Sequence, residues 1–220
     1  MSDMIRAIVL FACSVLLAAC SQTSGIGTGT TMTLTGYAFP PPAFKSFCAL
    51  ERALCSTRGG KKVVELTNAR RLELSEVNSA VNHRIAERSD VATSGKADHW
   101  TVPSKQGDCE DFAILKKSEL MRRGWPASAL LLTVVRSGGE GHTVLTVRTS
   151  EGDLILDNRT SAIKDWSRTS YRYFARQSQS SGKVWERIGA ARKLQIAIAY
   201  PWQSEFLAAF QQVHSPTKRG

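Results

Sequence analysis

The sequence predicts an α+β domain in which helices pack on a small antiparallel sheet. Two helical stretches, 68–88 and 109–123, come first. Short apolar runs at 129–136, 142–148 and 153–157 follow, the last two joined by a turn at 149–152. Helices grouped apart from hairpin-linked strands are the α+β pattern. The chain has 220 residues, 42% apolar and 22% charged, enough for one ordinary domain with tails and a real core.

In chain order, residues 1–19 read as a signal peptide. The apolar run 7–19 is too short for a bilayer, which takes about 20 helical residues. Arg6 supplies a positive start, offset by Asp3. Leu17-Ala18-Ala19-Cys20 resembles a bacterial lipobox, which implies cleavage before a lipidated Cys20 and, with Ser21 next, an outer-membrane anchor facing the periplasm. Ordinary signal-peptidase cleavage beside an incidental Cys is the alternative. Cys13 would be lost with the signal. Residues 20–36, rich in Ser, Thr and Gly, read as a flexible tether. Pro40-Pro41-Pro42 then keep the lead-in to the domain, 37–190, extended.

Cys48 and Cys55 form the next feature. In one straight helix their Cα atoms would lie roughly 10 Å apart, beyond the reach of a disulfide, about 7 Å. A bridge is expected on redox grounds alone, and it requires a break that no Pro or Gly between them forces. In 68–88, Leu74, Val77, Val81 and Ile85 form one apolar stripe, with Thr67 as N-cap. Asn78 and Asn82 flank that stripe and read as hydrogen-bonded helix edges. Residues 89–107 are loop-rich. The helix from Cys109 stops at Gly124. A glycine loop, 137–141, precedes His142. Beyond Trp166 the pattern weakens. Residues 171–174 suggest one more strand, 185–200 mix helix and strand signals, and 191–220 form an extension with a disordered end.

Lys and Arg number 29 against 19 Asp and Glu, a net charge of +10, and removing residues 1–19 leaves that balance unchanged. The basic residues are scattered, so nucleic acid is not the expected partner. A solvated surface and attraction to an acidic partner, such as anionic lipid or an acidic protein substrate, both fit. No CxxC, HxxxH, P-loop, GxSxG or full GxGxxG occurs among the five Cys, four His and the glycines. Zinc ribbons and thioredoxin-type sites are thereby excluded.

Cys109 is the most informative residue. It stands where a loop becomes a helix, with Asp108 as N-cap. Helix N-termini stabilise anions, so a thiol there is readily made a nucleophile, and its own N–H can face an oxyanion. A small buried Cys is the plainer reading. His142, at a strand start, is the candidate base, whereas His83, His99 and His214 read as surface residues. Asp157 ends the next strand. Residues 142 and 157 sum to an odd number, so any odd-sum register of the hairpin puts both on one face. A turn centred on Glu151-Gly152 opposes Asp157 to Thr146, roughly 13 Å along the strand from His142. A turn centred on Thr149-Ser150 opposes them directly, and both registers stay open.

Gly107-Asp108-Cys109-Glu110-Asp111-Phe112, then Arg122-Arg123-Gly124-Trp125-Pro126, Gly141-His142 and Leu156-Asp157-Asn158 resemble the bacterial transglutaminase-like cysteine proteinases over about 47–185. The resemblance implies a papain-like, transglutaminase-like core, with Cys109 as nucleophile, His142 as base and Asp157 orienting His142. Some members of that family are periplasmic proteases that cut large surface adhesins and require calcium beside the catalytic Cys. Asp108 and Asp111 match those acidic positions. The tether, the lipobox and the tail lie outside the shared pattern.

Charge gives a separate reason to consider Ca²⁺. Asp108, Glu110 and Asp111 crowd the thiol with negative charge, which raises its pKa, whereas catalysis needs it lowered. A bound cation relieves the conflict; acids in a first helical turn are also simple caps. The expected activity is an exported cysteine endopeptidase acting on an envelope or surface protein, an acidic adhesin being the expected type. Acyl transfer or amide hydrolysis by the same triad, and a non-catalytic envelope binding protein, are the competing readings.

Overall fold

The computed structural model of the protein describes residues 29–95 and 98–189. The elements in order are β1 (Leu34–Ala38), α1 (Phe44–Leu50), α2 (Arg52–Cys55), α3 (Asn68–Arg84), β2 (Ala86–Glu87), α4 (Asp90–Ser94), β3 (Gln106–Gly107) and α5 (Cys109–Arg122). Then come β4 (Leu130–Ser137), β5 (Glu140–Thr149), β6 (Gly152–Asp157), β7 (Thr160–Asp165), β8 (Arg172–Gln177) and β9 (Trp185–Ile188). Seven strands form one antiparallel sheet in the order β1-β9-β8-β4-β5-β6-β7. The α+β class agrees with the sequence, but the sheet is larger than the small one expected, because 34–38, 160–165 and 185–188 join it.

Leu74, Val77, Val81 and Ile85 are all buried, so the apolar stripe of α3 faces the core. Each such side chain contributes about 1.5–3 kcal/mol. Thr67 Oγ1 accepts from the Arg70 N–H at 3.2 Å and caps the helix as the sequence implies. The helix ends at Arg84, four residues early, because β2 pairs in parallel with β3. That pairing clamps the segment just ahead of Cys109: the Arg88 N–H donates to the Gly107 carbonyl at 2.8 Å. At the other end of α5, Gly124 takes a positive φ of 82° and the Trp125 N–H returns to the Leu120 carbonyl at 3.0 Å. A glycine closes a helix in this way because the left-handed conformation costs it nothing.

α5 packs on β4, β5 and β6, and α3 packs on α5 and β7. Phe44, Phe47, Trp100 and Trp185 form an aromatic cluster, with Phe44 edge-on to Trp185 at 5.0 Å and to Trp100 at 5.5 Å. Trp100 ties the 98–105 loop to the core. Cys48 and Cys55 are bridged, their Cα atoms 5.1 Å apart. Glu51, with φ −108° and ψ 62°, breaks the straight helix that would have held them apart.

Residues 29–36 differ from the expected tether. The Thr30 N–H donates to Asp165 at 2.7 Å, the Met32 N–H donates to Asp153 at 2.8 Å, and β1 pairs with β9. Buried Asp153 and Asp165 draw these backbone groups in, which composition does not reveal. The expected signal peptide, lipidated Cys20, the tether before residue 29, His214 and the extension 191–220 lie outside the described residues. No helix among the described residues is long and apolar enough to cross a membrane.

Candidate active site

Cys109 opens α5 and is half-buried. The Thr143 N–H of β5 donates to its Sγ at 3.4 Å. Asp108 holds the N-cap position without capping; its Oδ2 instead accepts from the Asp90 N–H at 3.2 Å. The expected Asp108 cap is therefore corrected, because the carboxylate is drawn to the start of α4. Burial first, then the charge of Glu110, pushes the Cys109 thiol well above its ordinary value. The thiol contacts Glu110 Oε2 at 3.2 Å.

The hairpin settles the register. Thr149 pairs with Gly152 and Leu145 with Leu156, so the turn centres on Ser150-Glu151, between the two alternatives. Asp157 then falls opposite Val144, two residues from His142 on the same face, about 7 Å along the strand. The side chains close that gap: His142 Nε2 meets Asp157 Oδ1 at 2.9 Å. The glycine loop before His142 shrinks to a two-residue turn, Gly138-Gly139, with φ of 60° and 94°. His142 therefore lies inside β5 rather than at its start, and is only 2% exposed. Its Nδ1 is buried without a hydrogen-bond partner.

Asp157 is thoroughly supported. Tyr171 Oη donates to Oδ2, and the Arg159 N–H donates to Oδ1 at 3.1 Å. Burial raises its pKa, but the bonds from His142, Tyr171 and Arg159 outweigh that and hold it below the ordinary carboxylate range. Asn82 Nδ2 donates to the Asp157 carbonyl at 2.9 Å, and Asn78 Nδ2 to the Thr160 carbonyl at 3.1 Å. The two asparagines of α3 thus fix the turn that follows Asp157. Lys116, buried on α5, lies in the electrostatic reach of Asp157; its Nζ has no hydrogen-bond partner, and burial lowers its pKa to about 7.

Acidic groups gather on the other side of the thiol. Carboxylate oxygens of Asp90, Asp108 and Glu110 lie within 4.8 Å of one another. Burial, then the Asp108 charge, pushes Glu110 up, and Asp90 is likewise raised, first by burial. Asp111 stands apart from this group. Its Oδ1 accepts from the Thr101 N–H at 2.8 Å and the Thr101 hydroxyl at 3.3 Å. Burial raises it to about 7, with Asp108 and Asp90 adding and the Thr101 bonds opposing. A Cβ on Gly107 would sit 2.5 Å from Asp111 Oδ2, so the position beside the site has room only for glycine. His99, in the adjoining loop, gives its N–H to Asp90, whereas His83 is exposed on α3.

Sequence reasoning missed Tyr171, Asp90 and the tie from Asn82. Tyr171 had no motif; only its place at a suggested strand start was visible. Asp90 lies 18 residues from Asp108 and carried no spacing signal.

Solved structures similar to this chain include three of one protein. Calcium-bound LapG from Legionella pneumophila shares 24% identity over 78% of this chain and 93% of its own, with a TM-score of 0.47. LapG from the same organism shares 28% over 63% and 77%, TM-score 0.42, and its EGTA-treated form 26% over 71% and 87%, TM-score 0.45. No curated protein matches significantly. The sequence model of the bacterial transglutaminase-like cysteine proteinases matches residues 34–193, taking in every strand and helix described above. The chain is thus a transglutaminase-like cysteine protease and belongs to that bacterial family.

Proposed function

We propose that the chain is an exported cysteine endopeptidase in which Cys109 is the nucleophile, His142 the base and Asp157 the group that orients His142. The observation that carries this reading is the pairing of His142 Nε2 with Asp157 on the strand whose next N–H touches Cys109 Sγ. Asp157 is held ionised, so it accepts, and Nε2 carries the hydrogen. The lone pair is then on Nδ1, the buried nitrogen without a partner. That nitrogen takes the thiol proton as sulfur attacks the scissile carbonyl carbon. The Cys109 N–H, at the helix start, faces the oxyanion. His142 next gives the proton to the leaving amine, and water hydrolyses the thioester with His142 again as base.

The Asp90, Asp108 and Glu110 carboxylates fit a Ca²⁺ ion, which takes hard oxygen ligands. Asp108 Oδ1 is buried with no partner, an orphan that a cation would satisfy. Asp111 is the weaker ligand, since Thr101 claims its Oδ1. When bound, Ca²⁺ supplies positive charge that offsets the carboxylate field on the thiol.

The substrate class is a protein of the cell surface, an acidic adhesin, and the location is the periplasm, with the chain anchored to the outer membrane through lipidated Cys20. Incubating the mature protein with envelope proteins and sequencing the new N-termini tests the endopeptidase. Cleavage products that appear with the wild type and not with Cys109→Ala support it. Amine incorporation without new N-termini would reassign the triad to acyl transfer.

A further inference from the structure

Away from the thiol, a groove of about 830 Å³ runs between α1, α2 and the β8–β9 connection. Its cationic lining is Lys45, Arg52, Arg58 and Lys183, and its apolar part includes Phe44 and the Cys48–Cys55 bridge. No Asp or Glu lines it. None of the four cations forms an ion pair among the described residues, whereas Arg70, Arg71, Arg84, Arg123 and Arg148 each hold a carboxylate. All four are exposed. From this cationic, partly apolar groove we infer a docking site for an acidic, extended segment of the protein substrate.

The groove is built before any ligand arrives. The disulfide pins α1 to α2. Gln177 Nε2 donates to the Cys55 carbonyl at 3.0 Å and to the Gly182 carbonyl at 2.9 Å, tying α2 to the β8–β9 connection. Gly182 presses so closely that an added Cβ would lie 1.8 Å from the Cys55 oxygen. A preformed site spares a ligand the cost of ordering its walls.

Charge and shape select the occupant. Unpaired cations over an apolar floor suit a chain that alternates acidic and apolar side chains. A membrane surface fits a flat or convex patch better than a concave one. The chain's own ends are poor candidates: 191–220 carry Arg192, Lys193, Lys218 and Arg219 against Glu205 alone, and 1–28 carry only Arg6 and Asp3. The groove also lies at a useful distance. Lys117 Nζ reaches the Ser56 carbonyl on its wall at 3.3 Å. Lys117 is eight residues along α5 from Cys109, about 12 Å of helix rise, and its side chain bridges the remaining distance to the groove wall. A substrate held here would thus present a bond several residues away to the thiol.

The inference rests on the endopeptidase reading for its use, but binding can be measured without turnover. The full mature chain carrying Cys109→Ala is titrated into a fluorescein-labelled peptide alternating Asp and Leu, with anisotropy as readout. Arg52→Glu/Arg58→Glu should weaken binding about tenfold or more, and Arg168→Glu/Arg172→Glu, with the same change in charge, less than about twofold. Equal weakening by both pairs would reduce the effect to net charge and overturn the site. Binding to phosphatidylglycerol vesicles that depends on Arg52 and Arg58, with no peptide binding, would overturn it in favour of a lipid surface. Absence of proteolysis with peptide binding intact would contradict the endopeptidase reading alone.

Discussion

Two buried acidic regions flank Cys109 and His142, and they behave oppositely. At the end of β6, Asp157 stands alone and receives three hydrogen bonds, from His142, Tyr171 and the Arg159 N–H. At the start of α5, Asp90, Asp108 and Glu110 crowd one another. Burial raises a carboxylate pKa in both places. Donors reverse the sign at Asp157, whereas like charges add to it at Glu110. Donors keep Asp157 ionised, whereas a cluster of carboxylates is relieved either by taking up protons or by an added positive charge. The difference teaches that the first region is satisfied by donors of this chain, whereas the second is the one that the proposed cation would complete.

The comparison is broken most severely at the thiol between the two regions. Cys109→Ala should cut turnover by about 10⁴-fold or more while thermal unfolding stays cooperative. Wild-type turnover in that variant would remove the nucleophile. Asp157→Asn comes next, at about 10²- to 10⁴-fold, because an amide presents its donor to His142 and disturbs the tautomer. If kcat survives that change, Asp157 is structural and the contrast between the regions is lost.

How far these regions were visible beforehand differs in the same way. The Cys109 helix start, the α3 stripe and the shared face of His142 and Asp157 follow from local spacing and strand parity. The register does not, since a turn at Ser150-Glu151 rather than its neighbours is chosen by packing of the whole hairpin. Tyr171 and Asp90 come from segments distant in sequence, and only the closed fold brings them in. The break at Glu51 is likewise tertiary: no Pro or Gly marks it, yet it lets Cys48 meet Cys55. β1 was hidden because its Thr-rich approach looks like linker, while Thr30 and Met32 of that approach are held by the buried Asp165 and Asp153 and the strand itself pairs with β9.

Smaller effects sharpen the contrast. Tyr171→Phe removes one of the three donors, and kcat/KM should fall about tenfold, the worth of a hydrogen bond to a charged group. No change would show that His142 and Arg159 suffice. Lys116 tests the Asp157 side through stability. Its pKa falls from the usual lysine value of 10.5 to about 7 in the folded protein. Between those values the unfolded chain holds a proton that the folded one lacks, so its contribution to stability rises with pH. Below about 7 the buried ammonium costs its full penalty. Lys116→Met should therefore stabilise the domain at pH 6 by on the order of 1–3 kcal/mol, and the gain should shrink toward pH 10. Denaturant melts at the two pH values check this, and a gain that does not vary with pH contradicts it.

The most direct test of the contrast between the two acidic regions is calorimetric titration of Ca²⁺ into the apo protein, comparing the wild type, Asp108→Asn and Asp157→Asn. We expect saturable binding in the wild type, loss of at least about tenfold in affinity on removing the Asp108 charge, and unchanged binding in Asp157→Asn. Absence of binding in the wild type, or equal affinity in wild type and Asp108→Asn, would show that the acids around Cys109 are not a cation site and contradict the account.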